Sequence, residues 1–359
     1  MAASRSLISP TTNPLLEKAL RGKLARRSEA VGSLGELEPL AVRLGLMQNT
    51  LKPRFREPQV VLFAADHGLV VDSAAPPQRR QTHEQVSALL NGRLPIAAFA
   101  RSQQLDLHVV DCGIAADMHT HERLLTRKIA HGTRNARATL AMTLEQAHAA
   151  MRAGMEIGES MRGNMVVCAG MGFGAHESAA LVMSRLSDTP IRDLLAGAGD
   201  RDDPDLAHAL LVVQAAQSRH RDVRDPVEVL AAFGGFEVAV MVGVMLVAAS
   251  KRHLLMIDGM SACAALMLAA RIASPVTEYC VFSRSHSHPG LDVALGLFRT
   301  GSLLELGLES VDGTGAVLAW PLIKSAAALL TEVADGDDPG PTRPQSLAES
   351  DPLARSVAG

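Results

Sequence analysis

The sequence predicts an α/β protein built on a doubly wound, mostly parallel sheet. Short apolar runs alternate along the chain with longer segments of helical periodicity, which is the pattern of repeated strand and helix units. The apolar runs are almost continuous and end in small or acidic residues, as expected of parallel strands that are buried on both faces. The predicted strands cover residues 59–65, 105–111, 165–169 and 253–258. The helices predicted between them cover residues 84–102, 143–161, 175–186, 204–218, 237–249 and 261–272.

The carboxyl ends of these strands are where a ligand is expected. In an open α/β sheet, ligands bind in the crevice outside those ends, at the point where the strand order reverses. Asp66, Cys112, Gly170 and Asp258 fall at such ends. The functional site is therefore expected in the segments that follow the strands.

The two flanks of the chain are predicted to be helical. Residues 11–47 and about 290–333 carry apolar residues at helical spacing, most clearly at 318–330. After residue 334 the composition changes to Gly, Asp, Pro, Ser and Glu. The tail 335–359 is therefore predicted to be disordered.

Composition and charge exclude several classes of function. A formal net charge of −3 and an aromatic content of 3% argue against a nucleic-acid surface, which needs basic patches and stacking rings. No charge-free apolar stretch is long enough to cross a membrane, and the N-terminus lacks the apolar core of a signal peptide. The four cysteines show no paired metal spacing and are predicted to be reduced and structural. The class that fits is a soluble, cytoplasmic enzyme.

The segment 310–316 carries the clearest catalytic signal. Asp312 stands directly before Gly313-Thr314-Gly315, which opens an apolar helix. A lone carboxylate there suits a general base, and the glycines leave backbone N–H groups at a helix start, where they can meet an anion or a polarised substrate. The alternative is a capped loop in which Asp312 only accepts backbone hydrogen bonds. This motif alone favours the two interpretations about equally.

Two glycine-rich turns are candidates for holding a phosphate. The segment 170–174 lies between a predicted strand and a predicted helix, the geometry that presents N–H groups to an anion. A second turn, containing Gly197 and Gly199, also precedes a helix. At Asp66 and His67 we favour side chains that stabilise the strand end, with the backbone turn lining the site.

These motifs and their order resemble the nicotinate-nucleotide:dimethylbenzimidazole phosphoribosyltransferase (CobT) family over roughly residues 15–335. The segments that carry the resemblance are Ala65-Asp66-His67-Gly68, Gly132-Thr133-Arg134-Asn135, Gly170-Met171-Gly172-Phe173-Gly174, Phe233-Gly234-Gly235-Phe236-Glu237-Val238-Ala239, Leu254-Leu255-Met256-Ile257-Asp258-Gly259, Ser261-Ala262-Cys263-Ala264-Ala265-Leu266 and Gly313-Thr314-Gly315. The resemblance implies an α/β Rossmann-like domain at 48–289 beside a small helical domain. The small domain would join residues 1–47 to residues 290–334 and close the active-site cleft. A homodimer is also implied.

The activity that the resemblance implies is phosphoribosyl transfer from nicotinate mononucleotide to an aromatic base such as 5,6-dimethylbenzimidazole, for cobamide lower-ligand assembly. Asp312 would take the azole proton while the base nitrogen attacks C1′ of the ribose and nicotinate leaves. No metal or cofactor is expected, because the pyridinium is already a good leaving group. The substrate-binding residues expected with it are Asp66, His67, Thr82, Glu84, Gly170, Met171, Gly172, Gly174, His176, Glu177, Gly197, Gly199, Asp258, His286, Gly313, Thr314 and Gly315.

Several site positions depart from the family pattern. A family carboxylate is replaced by Gly170, and the polar Asn-Thr-Thr that follows the first turn is replaced by Ala175-His176-Glu177. The second turn lacks its usual arginine and threonine, having Ala198 and Asp200, and Ala209 stands near the position of a lysine. Glu84 replaces a glutamine in the base pocket. Asp312 is one methylene shorter than the usual glutamate, so its reach toward the base is reduced.

These departures leave a second hypothesis open. The chain is then a divergent paralogue with a changed substrate or little activity, for example a non-catalytic subunit in a heterodimer. A metal-site variant of this hypothesis would use His67, Glu84, His176, Glu177, His286, His288 and Asp312, since histidines and carboxylates are common ligands. We favour the interpretation that these seven residues are polar side chains of the cleft and its loops. Nothing in the sequence fixes the distances between them, as a metal site would require.

Overall fold

A parallel β-sheet forms the centre of the computed structural model, which describes residues 8–28, 32–70, 81–195, 204–283, 289–308 and 310–333. Within these residues the strands are β1 (Gln59–Ala65), β2 (Asp106–Gly113), β3 (Leu124–Thr126), β4 (Met165–Met171), β5 (Leu254–Ile257) and β6 (Cys280–Phe282). Their order is β3-β2-β1-β4-β5-β6, and every pairing is parallel. The strand order reverses between β1 and β4: β2 and β3 lie on one side of β1, and β4, β5 and β6 lie on the other. A crevice is expected there, at the carboxyl ends of the strands.

Helices occupy most of the remaining described chain. They are α1 (Pro14–Ser28), α2 (Leu37–Met47), α3 (Thr82–Leu90), α4 (Pro95–Ser102), α5 (Leu144–Ser160), α6 (Ala175–Ser187), α7 (Ile191–Leu195), α8 (Pro204–Arg219), α9 (Pro226–Phe233), α10 (Phe236–Ser250), α11 (Met260–Ile272), α12 (Pro289–Leu297) and α13 (Thr314–Thr331). Short 3₁₀ turns follow β1 at Gly68–Val70 and precede β6 at Ser274–Tyr279. The α/β fold and the mostly parallel sheet predicted from the sequence are confirmed.

The core lies on both faces of the sheet. Strands β1 and β4 are buried along nearly their whole length, as their continuous apolar runs predict. Helix α10 is apolar almost all round, and its side chains are buried except at a few positions, because it lies between the sheet and α5. Gly154 of α5 and Gly243 of α10 let these two backbones approach closely: a Cβ added at either glycine would overlap backbone atoms of the facing helix.

The chain divides into two compact units. The larger contains Met1–Thr12 and Phe55–Lys324, and the smaller contains Asn13–Arg54 and Ser325–Gly359. The predicted boundary at residue 290 therefore differs from the observed division, which assigns residues 290–324 to the larger unit. The physical reason is packing: α12 lies against α7, α11 and α6, and the Phe298 ring lies 5.2 Å from that of Phe282 in β6.

The smaller unit is stabilised by contacts between its own segments. Leu20 of α1 packs against Gly45 of α2, where a Cβ on the glycine would lie 2.7 Å from both Leu20 methyl groups. The ammonium group of Lys23 is buried and donates a 2.9 Å hydrogen bond to the carbonyl oxygen of Leu330 near the end of α13. The tail 335–359 predicted to be disordered lies outside the described residues.

Helix α13 is long and apolar enough to cross a membrane by length and composition alone. It contains one lysine, Lys324, and more than half of its residues are buried in the protein. A buried core helix gives the same pattern, so α13 is no evidence of a membrane span.

Candidate functional site

Asp312 lies in a tight turn that begins α13. Gly313 has a φ of +92°, which a residue with a side chain adopts only with strain. A Cβ at position 313 would also lie 3.1 Å from the Leu62 side chain of β1 and 3.3 Å from Ala169 of β4. The hydroxyl of Thr314 donates a 2.7 Å hydrogen bond to the carbonyl of Val311 and closes the turn. The turn is therefore fixed against the two central strands.

The loop after β5 meets this turn. Asp258 is buried, and its Oδ2 accepts a 3.1 Å hydrogen bond from the N–H of Ala316 in the first turn of α13. Gly259, with a φ of +93°, lies directly beneath the Asp312 carboxylate, which would overlap any Cβ at that position. Two carboxylates from distant parts of the chain thus converge at one helix N-terminus, which favours negative charge.

Cys263 lies under this pair of carboxylates. Burial, and then the negative charges of Asp312 and Asp258, raise the pKa of its thiol far above the usual range. The thiol is therefore protonated at neutral pH and is a poor nucleophile. Asp312 is half-buried at this point of the sheet, and its role as a proton acceptor stays a prediction.

Asp66, at the end of β1, holds the neighbouring loops together. Its carboxylate accepts a hydrogen bond from the Thr82 hydroxyl and a 2.7 Å hydrogen bond from the N–H of Ala115. The Thr82 oxygen in turn accepts a 2.9 Å hydrogen bond from the N–H of Phe173 in the glycine-rich turn. Asp66 and Thr82 therefore link the segments that follow β1, β2 and β4, and whether either contacts a substrate stays a prediction.

The glycine-rich segment 170–174 begins in the last two residues of β4 and leads to the start of α6. A Cβ at Gly172 would overlap the carbonyl of Ala65, so the turn lies directly on the end of β1. Gly174 has a φ of +84°, and Met171 is buried. A Cβ at Gly170 would overlap that of Ser261 and lie 2.6 Å from its hydroxyl oxygen. The larger carboxylate residue of the family pattern therefore does not fit at position 170 while Ser261 is present.

His176 and Glu177 form the first turn of α6 beside this glycine-rich turn, and both are half-buried. Glu177 therefore places a negative charge at the helix N-terminus, where an anionic ligand would otherwise be favoured.

Glu84 has a structural role at the start of α3. Its carboxylate accepts a 3.2 Å hydrogen bond from the N–H of Gln81, forming a capping box. Together with His83, Ser87 and Arg93 it also lines an open surface cavity of about 400 Å³. Whether Glu84 contacts a base stays a prediction.

His67 is buried and pairs with Glu237, which is not among the site residues expected from the sequence. Its Nε2 lies 3.3 Å from Oε1 of Glu237, and both side chains are almost completely excluded from solvent. The signal in the sequence is that Glu237 is the one charged residue in the otherwise apolar α10. A single acid in such a helix must have a buried partner or a ligand.

Of the remaining residues expected in the site, the structure describes only some. Gly315 is buried in the first turn of α13. Gly197, Gly199 and His286 lie outside the described residues. Among the residues that the structure describes, no group of three or more His, Cys, Asp and Glu side chains is arranged to hold a metal ion.

Known proteins of one enzyme family match this chain along almost its whole length. A phosphoribosyltransferase family model matches residues 9–340, a range that includes the sheet, the glycine-rich turn and Asp312. The nicotinate-nucleotide–dimethylbenzimidazole phosphoribosyltransferase of Cupriavidus taiwanensis is 39% identical over 328 residues, which is 90% of this chain and 95% of the relative. The enzyme of the same name from Cupriavidus necator is 39% identical over 331 residues, covering 90% and 96%.

A solved structure of the same kind of enzyme has a similar fold. The crystal structure of CobT from Thermus thermophilus superposes with a TM-score of 0.80 at 30% sequence identity, covering 88% of this chain and 96% of that chain. The chain therefore belongs to the nicotinate-nucleotide–dimethylbenzimidazole phosphoribosyltransferase (CobT) family.

Proposed function

We propose that this protein transfers phosphoribose from nicotinate mononucleotide to an aromatic base such as 5,6-dimethylbenzimidazole, giving an α-ribotide for the lower ligand of cobamides. Relatives that carry this name match nearly the full length of the chain. The observation that carries the proposal within the structure is the Asp312 carboxylate, fixed above Gly259 at the carboxyl edge of the sheet. A half-buried carboxylate in the crevice of an α/β sheet is well placed to accept a proton from a bound base.

In the proposed mechanism Asp312 is the general base. It takes the proton from one azole nitrogen while the other nitrogen attacks C1′ of the ribose. The new N–C1′ bond forms as the bond from C1′ to the pyridinium nitrogen breaks, and nicotinate leaves with that electron pair. The positive charge on the pyridinium is neutralised as it departs, so the leaving group needs no proton.

Asp258 contributes by fixing the start of α13. Its hydrogen bond to the N–H of Ala316 ties the loop after β5 to the helix that follows Asp312. The shorter reach of aspartate, compared with the glutamate of the family pattern, requires that the acceptor base approach the loop at Gly259 more closely. We therefore expect the backbone of Gly259 and Gly313 to line the acceptor site.

The test is formation of α-ribotide by an Asp312→Asn variant. Loss of a general base typically lowers the rate by ~10²–10⁴-fold. Asp106→Asn is a matched control, because Asp106 is a surface aspartate at the start of β2, the end of the strand remote from the site. An unchanged rate in the Asp312 variant, or an equal loss in the control, would remove Asp312 from the mechanism.

We also propose a cytoplasmic homodimer that binds these small-molecule substrates. The support is family membership, together with the composition of a soluble enzyme. Sedimentation of the purified protein tests the oligomer directly. A monomer, or a dimer formed only with a second paralogous chain, contradicts the homodimer.

A further inference from the structure

His67 and Glu237 form an ion pair sealed beneath the candidate site. The side chains are 1% and 0% exposed, and Nε2 of His67 lies 3.3 Å from Oε1 of Glu237. Neither carboxylate oxygen of Glu237 has a hydrogen bond of good geometry among the described residues. Burying a carboxylate with so little compensation is costly, so the pair needs a reason to be retained.

The surroundings set the charge state of the pair. Burial alone lowers the pKa of His67, but the carboxylate of Glu237, followed by those of Asp66 and Glu177, raises it, and the net direction is upward. Glu237 is the second residue of α10, where the helix dipole stabilises an anion. Burial, and then the negative charges of Glu237 and Asp111, raise the pKa of the Cys112 thiol. The groups that face the pair therefore favour an imidazolium beside a carboxylate.

The same residues contact the glycine-rich turn at both ends. The N–H of His67 donates a 3.2 Å hydrogen bond to the carbonyl of Phe173, and a Cβ at Gly174 would lie 2.9 Å from the Cβ of His67. At the other end, a Cβ at Gly170 would lie 3.8 Å from Cγ of Glu237. His67 thus lies against one end of the 170–174 segment, and Glu237 lies close to the other end.

We propose that His67 and Glu237 are positioning residues for the donor substrate: their ion pair holds the 170–174 turn in the conformation that binds nicotinate mononucleotide, and donor affinity falls when His67 loses its proton. The identity of the donor rests on the proposed function. The pair touches the turn and not the reacting atoms, so it acts on binding of the donor more than on the chemical step. The expected signature is a change in KM with little change in kcat.

The direction of the pH effect follows from the raised pKa. A histidine whose pKa is higher in the folded than in the unfolded chain stabilises the folded state. This stabilisation is complete at a pH below the unfolded-state pKa, and it is lost as the pH rises through the folded-state pKa. Rising pH removes the proton of His67 and with it the attraction between the two side chains. Donor binding and protection of the turn should therefore weaken together on the alkaline side.

The experiment covers about pH 6 to about pH 9, around and above the ordinary histidine pKa. Four quantities are measured: the dissociation constant of nicotinate mononucleotide by calorimetry, KM and kcat for ribotide formation, and hydrogen exchange of the turn amides. The proteins are wild type, His67→Gln, Glu237→Gln and the double variant. His108→Gln is the matched control, because His108 forms a 2.8 Å hydrogen bond with Asp106 near the start of β2, at the opposite end of the sheet from the turn.

We expect the wild-type dissociation constant to rise about tenfold across this range, a typical coupling between two sites. The double variant and each single variant should lose this pH dependence, and His108→Gln should keep it. If a single variant fails to fold, the double variant decides, because an amide pair carries no buried charge. Identical pH profiles in wild type and double variant, or variants that lose only thermal stability, overturn the proposal.

Failure of the proposed function has a different signature. A wild-type protein that binds no nicotinate mononucleotide at any pH, but whose turn amides lose protection at high pH in a manner that depends on the pair, would refute the donor assignment. The pair would then still be shown to hold the turn. Turn amides that ignore both pH and the substitutions refute the positioning role itself.

Discussion

Gly259 determines where the Asp312 carboxylate can lie. It has a φ of +93°, and a Cβ there would overlap the carboxyl group of Asp312. We expect Gly259→Ala to displace the carboxylate and lower kcat for ribotide formation by ~10²-fold, since a catalytic group misplaced by about 1 Å costs that much. Steady-state kinetics with saturating substrates measures the effect.

Backbone strain at this glycine needs its own control. Gly92 also has a positive φ, of +70°, but a Cβ there would meet only the far end of the flexible Arg101 side chain, at 3.4 Å. Gly92→Ala therefore carries similar strain without touching Asp312. Comparable losses of kcat in the two variants would mean that Gly259 acts through stability and not through the carboxylate.

Gly170 and Ser261 are predicted to be coupled. A Cβ at position 170 would overlap the Cβ of Ser261, and both residues lie in the buried layer between β4 and α11. We expect Gly170→Ala to lower the free energy of unfolding by ~1–3 kcal/mol, as overpacking of a core does. Adding Ser261→Gly should restore most of this loss. Urea denaturation of the four proteins of the double-mutant cycle measures the coupling, and simple additivity would contradict it.

At the scale of the elements, the contact between α5 and α10 depends on two glycines. A Cβ at Gly154 would overlap the Val240 carbonyl, and one at Gly243 would overlap the Met151 carbonyl. Either change to alanine should push the helices apart and lower the free energy of unfolding by ~1–3 kcal/mol, despite the better helix propensity of alanine. Thermal and urea unfolding provide the measurement.

Gly22 supplies the comparison for this prediction. It lies inside α1, and a Cβ there would have no atom within 4 Å. Gly22→Ala should therefore raise stability by ~0.5–1 kcal/mol through helix propensity alone. If Gly154→Ala also raises stability, the close approach of α5 and α10 is not the reason for its glycine.

The elements show how far pattern alone can predict. The predicted strand 59–65 is observed as Gln59–Ala65, because a buried parallel strand has an uninterrupted apolar run with clear ends. Strands β3 and β6 were missed, since three residues are too few for a periodic signal. The predicted helix 84–102 is two helices, broken where Gly92 has a positive φ and Pro95 begins α4.

The site was less predictable than the fold for a physical reason. Asp312 and the turn 170–174 can be selected as site candidates from the sequence, because glycines mark the loops in which they lie. The partnership of His67 with Glu237 could not be found, because it joins positions 170 residues apart and exists only after α10 packs on the sheet. Space constraints such as that between Gly170 and Ser261 likewise have no trace in a single sequence.

At the scale of the whole molecule, two buried histidines give opposite responses to pH. The pKa of His67, at the carboxyl ends of the strands, is raised by its carboxylate neighbours against the effect of burial. The pKa of His253, which directly precedes β5, is lowered to about 4 by burial and then by Lys251 and Arg56. The sheet thus carries one histidine that favours the charged form and one that favours the neutral form. The folded protein should be most stable between their two titrations.

His253 should govern part of the loss of stability in acid. Because its pKa is lowered from 6.5 to about 4, only the unfolded chain binds a proton in the window between these values, so the free energy of unfolding falls as the pH falls. The contribution should be about 2 kcal/mol lost between about pH 7 and about pH 5. His253→Gln removes the titration, so urea denaturation of this variant should show a correspondingly smaller difference in the free energy of unfolding between the two pH values.

His108→Gln, at a partly exposed histidine, should keep the wild-type difference. Equal pH differences in wild type and His253→Gln would show that folding does not lower the pKa of His253 and that other groups cause the acid sensitivity.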